Sequence, residues 1–283
     1  MKLDLEKILI TGAGGMLGSY IDFGVRLDHH SLDVGDLASV RAACAAHRPR
    51  VIFHLAAATD LVGCEKDQAQ TYHTNAIGTY HMALAARDIG AKLVYVSTSA
   101  VFDGKKEAPY REDDMPNPQS VYGHSKYLGE LAVRGILDDY MIARTCWIFG
   151  GGPEKDHKFV ANIIRQAQNS KIEVIGGKRG SPTYGKDLVQ ELVHLAEEDA
   201  RGTYHIGNAG APTRVEIARE IVRAVGSRAE VVEADASVFE KKYPGAGARG
   251  NESIESEKIT LRPWQEALRE YVATEWHGKF PKE

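Results

Sequence analysis

Tyr122 and Lys126 stand four positions apart in Tyr122-Gly-His-Ser-Lys126. On a helix that spacing puts both side chains on one face. An ammonium there favours phenolate and lowers the effective pKa of the tyrosine. A phenol tuned in this way can give a proton to a carbonyl oxygen while a hydride arrives at the carbon of the same group. The pair alone is weak evidence, because any helix with a surface Tyr can carry a Lys one turn later. Ser97-Thr98-Ser99, at the end of an apolar run upstream, strengthens it. A hydroxyl at Thr98 can hydrogen-bond the same substrate oxygen and hold it near Tyr122.

A proton donor of this kind needs a hydride source, and Thr11-Gly-Ala-Gly-Gly-Met-Leu-Gly18 supplies a place for one. The glycines at 12, 15 and 18 follow the GxxGxxG spacing after a strand-like run. Gly12 permits a tight turn, Gly15 lets the backbone approach a pyrophosphate, and Gly18 allows close helix–strand packing. Met16 and Leu17 complete the loop, and the N–H groups of the helix it opens would face the phosphates. Asp28 closes the next strand, where an acid can accept from the adenosine ribose hydroxyls. That position leans towards NADH over NADPH, although His29, His30 or Arg26 could tolerate a 2′-phosphate. Asp33, with Val34 beside it, can reach the adenine edge; Asp36 is the better N-cap for the helix that follows. Ala56, Ala57 and Ala58 end the third strand with small side chains that permit backbone approach to the cofactor. Asn75 falls in a helix expected to pass behind the site, where an exposed helical Asn is an equally good reading of the residue alone.

These residues need a scaffold, and its pattern is regular. Lys7–Thr11, Val51–Leu55, Lys92–Val96 and Tyr140–Arg144 are short, nearly continuous apolar runs. Helical stretches near 37–47, 68–89 and 121–137 separate them. Such alternation predicts a parallel sheet covered on both faces, an α/β doubly wound Rossmann fold. The interval from Gly18 to Asp33 must hold a first helix, a second strand near Val25–Leu27 and a turn, so the helix is expected to be trimmed to about two turns. Gly150-Gly-Gly-Pro153 marks a break. Residues 1–150 are expected to form the dinucleotide-binding domain, with the chain returning to it near 181–206. Residues 151–283 form a smaller α/β substrate-binding lobe. Its helices are expected at 157–168, 185–198, 213–225 and 262–273, its strands near 172–174, 203–205 and 230–232, and an irregular loop at 243–250.

The net charge of −4 and pI near 6.3 give no reason to expect a nucleic-acid partner. Lys105-Lys106 and Lys241-Lys242 read as solvated loop charges. Three cysteines, Cys44, Cys64 and Cys146, show no metal-ligand spacing and form no disulfide framework. The first residues carry acids where a signal peptide needs an apolar run, and no stretch reaches the roughly 18 apolar residues that span a bilayer. The expectation is a cytoplasmic enzyme without membrane partner or metal, and with a homodimer as the default assembly.

Further stretches carry a resemblance. They include Leu27-Asp-His-His-Ser-Leu-Asp-Val-Gly-Asp36, Arg48-Pro-Arg-Val-Ile52, Ala56-Ala-Ala-Thr59, Val101-Phe-Asp-Gly104, Val121–Lys126, Leu128-Gly-Glu130, Arg144-Thr-Cys-Trp147, Gly180-Ser-Pro-Thr183 and Gly202-Thr-Tyr-His205. Over almost its whole length the chain resembles the extended short-chain dehydrogenases, and within them the dTDP-4-dehydrorhamnose reductases. The resemblance implies NADH- or NADPH-dependent reduction of the 4-keto group of a nucleotide-linked deoxysugar, with Thr98, Tyr122 and Lys126 as the catalytic triad. It also implies that Thr59, Ser99, Trp147 and Thr183 join Thr98 and Tyr122 around the sugar. On bare chemistry Trp147 reads as a core aromatic. The chain departs from the family pattern at Ser99 and Ala100, where members usually carry Asp and Tyr, and at Val62, where they carry Asp.

Two other readings share the fold. Ser99-Ala100-Val101 leans towards NAD-dependent sugar-nucleotide epimerases, which hold their cofactor through the cycle and are typically somewhat longer. Dehydratases need an acid pair after the strand-end threonine, which Ser99-Ala100 does not provide. A non-catalytic regulatory subunit, like the beta subunit of methionine adenosyltransferase, remains the binding-module alternative, opposed by the intact Thr98, Tyr122 and Lys126.

Overall fold

Strands β1 (Ile8–Thr11), β3 (Val51–His54) and β4 (Lys92–Thr98) are buried at every residue. A strand with one wet face alternates apolar and polar residues; one covered on both faces has no reason to. In the computed structural model, which describes residues 3–234 and 250–279, they join β2 (Val25–Leu27), β5 (Tyr140–Thr145) and β9 (Gly202–His205). The six-stranded sheet has the order β2-β1-β3-β4-β5-β9. β1 pairs parallel with β2 on one side and β3 on the other, and β3 pairs parallel with β4. The expected doubly wound α/β fold is therefore the observed one. The chain reverses its direction of travel across the sheet between β1 and β3, and ligands of such sheets bind at the carboxyl ends of the strands there.

Helices cover the sheet as their sequences dictate. Asp36 caps α1 (Leu37–His47), accepting from the Ala38 N–H at 3.0 Å, as its position suggested. Met82, Ala83, Ala85 and Ala86 of the helix Gly78–Ile89 share one core with Leu9, Ile52 and Leu93. Each large side chain buried there contributes roughly 1.5–3 kcal/mol.

Two elements differ from expectation. The first helix is a single 3-10 turn, Leu17–Tyr20, which ends where Ile21 turns extended. Too few residues separate the glycine loop from Gly24, whose positive φ of 71° starts the approach to β2. A turn this short supplies no helix dipole, so any phosphate binding at the loop rests on local N–H groups. The helix expected over 68–89 is divided into three pieces: Gln68–Tyr72 is α-helical, His73–Ile77 is a π-helical turn, and Gly78–Ile89 is α-helical again. Such π turns inside helices are frequent at functional sites.

The described chain divides into two compact units. The first comprises 1–103, 115–144 and 189–204, so it closes at Arg144 rather than near 150 and cedes 104–114. The second comprises 104–114, 145–188 and 205–283. It holds two parallel strand pairs, β6 (Ile148–Phe149) with β8 (Thr183–Tyr184) and β7 (Lys171–Ile175) with β10 (Glu230–Ala234). The four helices expected after residue 150 are observed as Phe159–Gln166, Gly185–Glu197, Arg214–Ala224 and Trp264–Glu275. Phe149, Tyr184 and Tyr271 pack ring against ring, with centroids 5.4–5.7 Å apart. The loop expected over 243–250 lies outside the described residues except for Gly250, and Lys241-Lys242 lies outside them too. Cys44, Cys64 and Cys146 are buried, and no disulfide joins them. No helix among the described residues is long and apolar enough to cross a membrane.

Candidate active site

Tyr122 and Lys126 sit on the helix Val121–Ile136, whose start is held by three independent contacts. Ser120 caps it, accepting from the Gly123 N–H at 3.1 Å. Glu65 accepts from the Val121 N–H at 2.9 Å, an acid placed where the helix N-terminus favours one. Gly123 lies against the carbonyl of Ala100, so that a Cβ there would overlap it. Ala100 belongs to the 3-10 turn Ser99–Val101 that follows Thr98. The missing side chain at Gly123 thus brings the turn of the helix carrying Tyr122 directly onto the turn that follows Thr98. Thr98 Oγ1 accepts from the Ala100 N–H at 3.1 Å. That bond uses an oxygen lone pair and leaves the hydroxyl proton to donate.

One turn further, Lys126 is buried and its ammonium lies 4.2 Å from the centre of the Tyr95 ring. Burial pushes its pKa down to about 7, opposed by the negative charge of Glu130. Tyr95 donates to the Lys126 carbonyl at 3.2 Å, and burial raises its own phenol well above 10, so it stays neutral. Glu130, the next residue on this face, accepts from Ser97 at 2.6 Å, from Arg144 at 2.8 and 2.9 Å and from Arg134 at 3.0 Å. Burial alone would raise its pKa; the Arg144 bonds and charge, with Ser97 and Arg134, outweigh that and hold it low. Tyr122, Lys126 and Glu130 therefore form a stripe of alternating chemistry at four-residue intervals.

Asn75 is fully buried in the π-helical turn, not exposed. Its Oδ1 accepts from the Ala58 N–H at 2.8 Å, and its Nδ2 donates to the Ala58 carbonyl and to Ser125 Oγ, each at 3.0 Å. Ser125 in turn donates to the Tyr122 carbonyl at 2.8 Å. The end of β3 and the helix Val121–Ile136 are thereby tied through one amide.

The glycine loop fits a dinucleotide in its own way. Gly12 has φ 70°, and a Cβ there would lie 2.7 Å from the Ala56 nitrogen. Gly18 is packed against the backbone of Ala13, and Leu17 is buried, so both anchor the loop. Gly14 and Gly15 are exposed. A Cβ at Gly15 would meet only the Gly12 carbonyl, at 3.2 Å; the side chain is missing from an open surface, where a ligand can approach backbone. A Cβ at Gly14 would lie 3.4 Å from Asp28 Cβ, which places the acid beside that open surface. Asp28 is held there by Ser31 Oγ at 2.9 Å and by the N–H groups of Ser31 and His30 at 3.1 and 3.0 Å. The same bonds hold its carboxyl below the usual range. Arg26 donates to the Gly18 carbonyl at 3.3 Å. Asp33 accepts from the Gly35 N–H at 2.8 Å, while Val34 is buried against Gly78. Met16, Ala56, Ala57 and Ala58 are half-buried and Thr59 is exposed.

Trp147 and Thr183 belong to the second unit. Trp147 is half-buried rather than a core aromatic, and its φ of 43° is a left-handed conformation that a bulky residue adopts at a cost. Its ring covers Gly180, Arg214 lies 5.0 Å from the ring centre, and Nε1 donates to Glu252 at 3.3 Å. Thr183 is a residue the sequence places around the sugar. It is fully buried and its hydroxyl donates to the Cys146 carbonyl at 2.7 Å, which spends its only proton inside the unit. Ser99 is buried as well.

Residues 6–276 match the RmlD substrate binding domain. The chain belongs to this family. It is 33% identical over 289 residues to dTDP-4-dehydrorhamnose reductase of Mycobacterium tuberculosis, covering 95% of this chain and 93% of that one. It is 34% identical over 279 residues to the spore coat polysaccharide biosynthesis protein SpsK of Bacillus subtilis, covering 95% and 97%. The crystal structure of dTDP-4-dehydrorhamnose reductase from Bacillus anthracis in complex with NADP superposes with a TM-score of 0.88 at 31% identity, over 96% of this chain and 99% of that one. A UDP-glucose 4-epimerase of Thermotoga maritima, at 22% identity and a TM-score of 0.80, shares the fold. The RmlD family lies within the extended short-chain dehydrogenases that the sequence resembles, and the reductase class anticipated from the sequence is that of these relatives.

Proposed function

We propose that this chain reduces the 4-keto group of a nucleotide-linked 6-deoxysugar with NADH or NADPH. Bound reduced nicotinamide supplies the hydride. Tyr122 gives its phenolic proton to the carbonyl oxygen as the carbon accepts the hydride, so a ketone becomes a secondary alcohol. Thr98 donates to the same oxygen and orients it. Lys126 favours the phenolate left behind. Gly14, Gly15 and Asp28 hold the dinucleotide, and Trp147 is a contact for the substrate. The observation that carries this reading is Gly123 against Ala100, which fastens the helix bearing Tyr122 and Lys126 to the turn following Thr98. The relatives named dTDP-4-dehydrorhamnose reductase support the substrate class, and Asp28 favours NADH although the Bacillus anthracis relative holds NADP. A cytoplasmic homodimer is the expected setting.

The test mixes the protein with NADH or NADPH and a dTDP-4-keto-6-deoxyhexose and follows loss of reduced-nicotinamide absorbance. Consumption that requires both protein and sugar is expected. Binding of the cofactor without consumption would transfer the assignment to an epimerase, a different keto substrate or a regulatory subunit.

A further inference from the structure

β3 ends on a histidine, His54, that is completely buried. Its Nδ1 lies 2.8 Å from Thr11 Oγ1, the last residue of β1 before the glycine loop. Its Nε2 lies 3.1 Å from Thr79 Oγ1. The proton positions follow from the partners. Thr79 Oγ1 donates to the Asn75 carbonyl at 2.7 Å, and with its single proton directed there it accepts from Nε2–H of His54. Thr11 Oγ1 receives the Ala56 N–H at 3.2 Å and directs its own proton to Nδ1. The resulting chain runs one way at each end: Ala56 N–H to Thr11 to His54 Nδ1, and His54 Nε2–H to Thr79 to the Asn75 carbonyl.

We propose that His54 is a positioning residue of the cofactor site. As a neutral imidazole with its hydrogen on Nε2, it fastens the start of the glycine loop to the Ala56–Ala58 segment and to the Asn75 turn. The inference rests on the dinucleotide reading of that loop. Three elements depend on this one ring. Thr11 sets where Gly12 begins its turn, and a Cβ at Gly12 would strike Ala56, so loop and strand end have little freedom to shift apart. Asn75, whose carbonyl the chain terminates on, holds Ala58 with its side chain and reaches the Tyr122 carbonyl through Ser125. A protonated ring would reverse the Thr11 bond, because Nδ1–H would donate to Thr11 Oγ1 and the Thr11 proton would lose this acceptor. The titratable groups facing it oppose protonation: Tyr95 on β4 stacks with the ring at 5.7 Å between centroids and stays neutral, and the Lys126 ammonium repels a second cation. Burial first, and that repulsion second, push the His54 pKa down to about 3.

Imidazole 15N spectra of the wild-type protein test the proton assignment without any variant, the ring being assigned through its couplings to the backbone. A neutral Nε2–H signature unchanged between about pH 5 and about pH 9 is expected; an imidazolium or an Nδ1–H tautomer overturns the proposal. Cofactor affinity, read by NADH and NADPH fluorescence without sugar, tests the positioning. His54→Phe keeps the ring volume and removes both bonds, and about a tenfold loss of affinity is expected, equal to about 1.4 kcal/mol. His54→Gln can accept from Thr11 and donate to Thr79, and is expected to recover most of it. Wild-type affinity in His54→Phe, with only a lower melting temperature, would make His54 a packing residue and overturn the proposal. Undetectable cofactor binding in the wild type would instead overturn the dinucleotide reading itself.

Discussion

Tyr122→Phe is expected to lower kcat by about two to four orders of magnitude, the usual contribution of a positioned general acid, while cofactor affinity stays within about twofold. The removed atom is the proton-bearing oxygen alone. The helix that carries it keeps its cap at Ser120, its Glu65 bond and its Gly123 contact with Ala100, so geometry survives the change. Steady-state turnover with sugar and reduced nicotinamide, beside a fluorescence titration of the cofactor, reads both quantities. Wild-type turnover in this variant would remove Tyr122 from the mechanism; loss of cofactor binding together with turnover would make it a structural residue.

Lys126→Met is expected to produce a protein that is harder to unfold and nearly inactive. In the unfolded chain this ammonium titrates near 10.5, while burial in the native state pushes it down to about 7. The folded pKa is the lower one, so the native state binds the proton more weakly than the unfolded chain does. The stability associated with neutral Lys126 is complete above about pH 10.5 and is lost progressively as pH falls towards about 7. Near neutral pH the buried group therefore costs roughly 3–5 kcal/mol. A thioether of similar length fills the space beneath Tyr95 with no such cost. Urea unfolding at about pH 7.5 is expected to show a higher midpoint for the variant, with the gap closing towards pH 10. A variant less stable than wild type at both pH values would show that the Tyr95 contact and the Glu130 charge more than offset the burial of the ammonium. Activity is expected to fall by about a hundredfold or more. On the proposed mechanism, stability is thus given up at the residue that would tune the proton donor.

The sheet was legible because covering both faces leaves no alternative to continuous apolar strands, and Ile8–Ile10, Val51–Phe53 and Lys92–Val96 are such runs. Tyr122, Lys126 and the glycine loop were legible because their spacing is chemical. Other parts of the site were not. A glycine inside a helix weakens it in isolation, and only the structure shows that the missing side chains of Gly123 and Gly129 seat the helix on Ala100 and on the Tyr95 hydroxyl. The first helix was overestimated because a count of residues cannot tell two α turns from one 3-10 turn. The π-helical turn at His73–Ile77 leaves the apolar periodicity of 68–89 almost unchanged, and with it the inward turn of Asn75 was hidden. Thr183 matched a motif, but its burial behind Cys146 depends on the pairing of β6 with β8. His54 read as one more member of an apolar strand. Its signal was present in Thr11 and Thr79, two further polar residues in otherwise apolar surroundings, but only the register of β1 with β3, which sets Thr11 opposite His54, brings them together.

The central claim is hydride delivery to a sugar carbonyl carbon, and the most direct measurement uses nicotinamide deuterated at its transferring position, with mass and NMR analysis of the sugar product. The account predicts one deuterium per turnover, bound to carbon 4 of the deoxysugar, with stoichiometric oxidation of the cofactor. A product carrying no deuterium, or a sugar epimerised without net consumption of reduced cofactor, would contradict it.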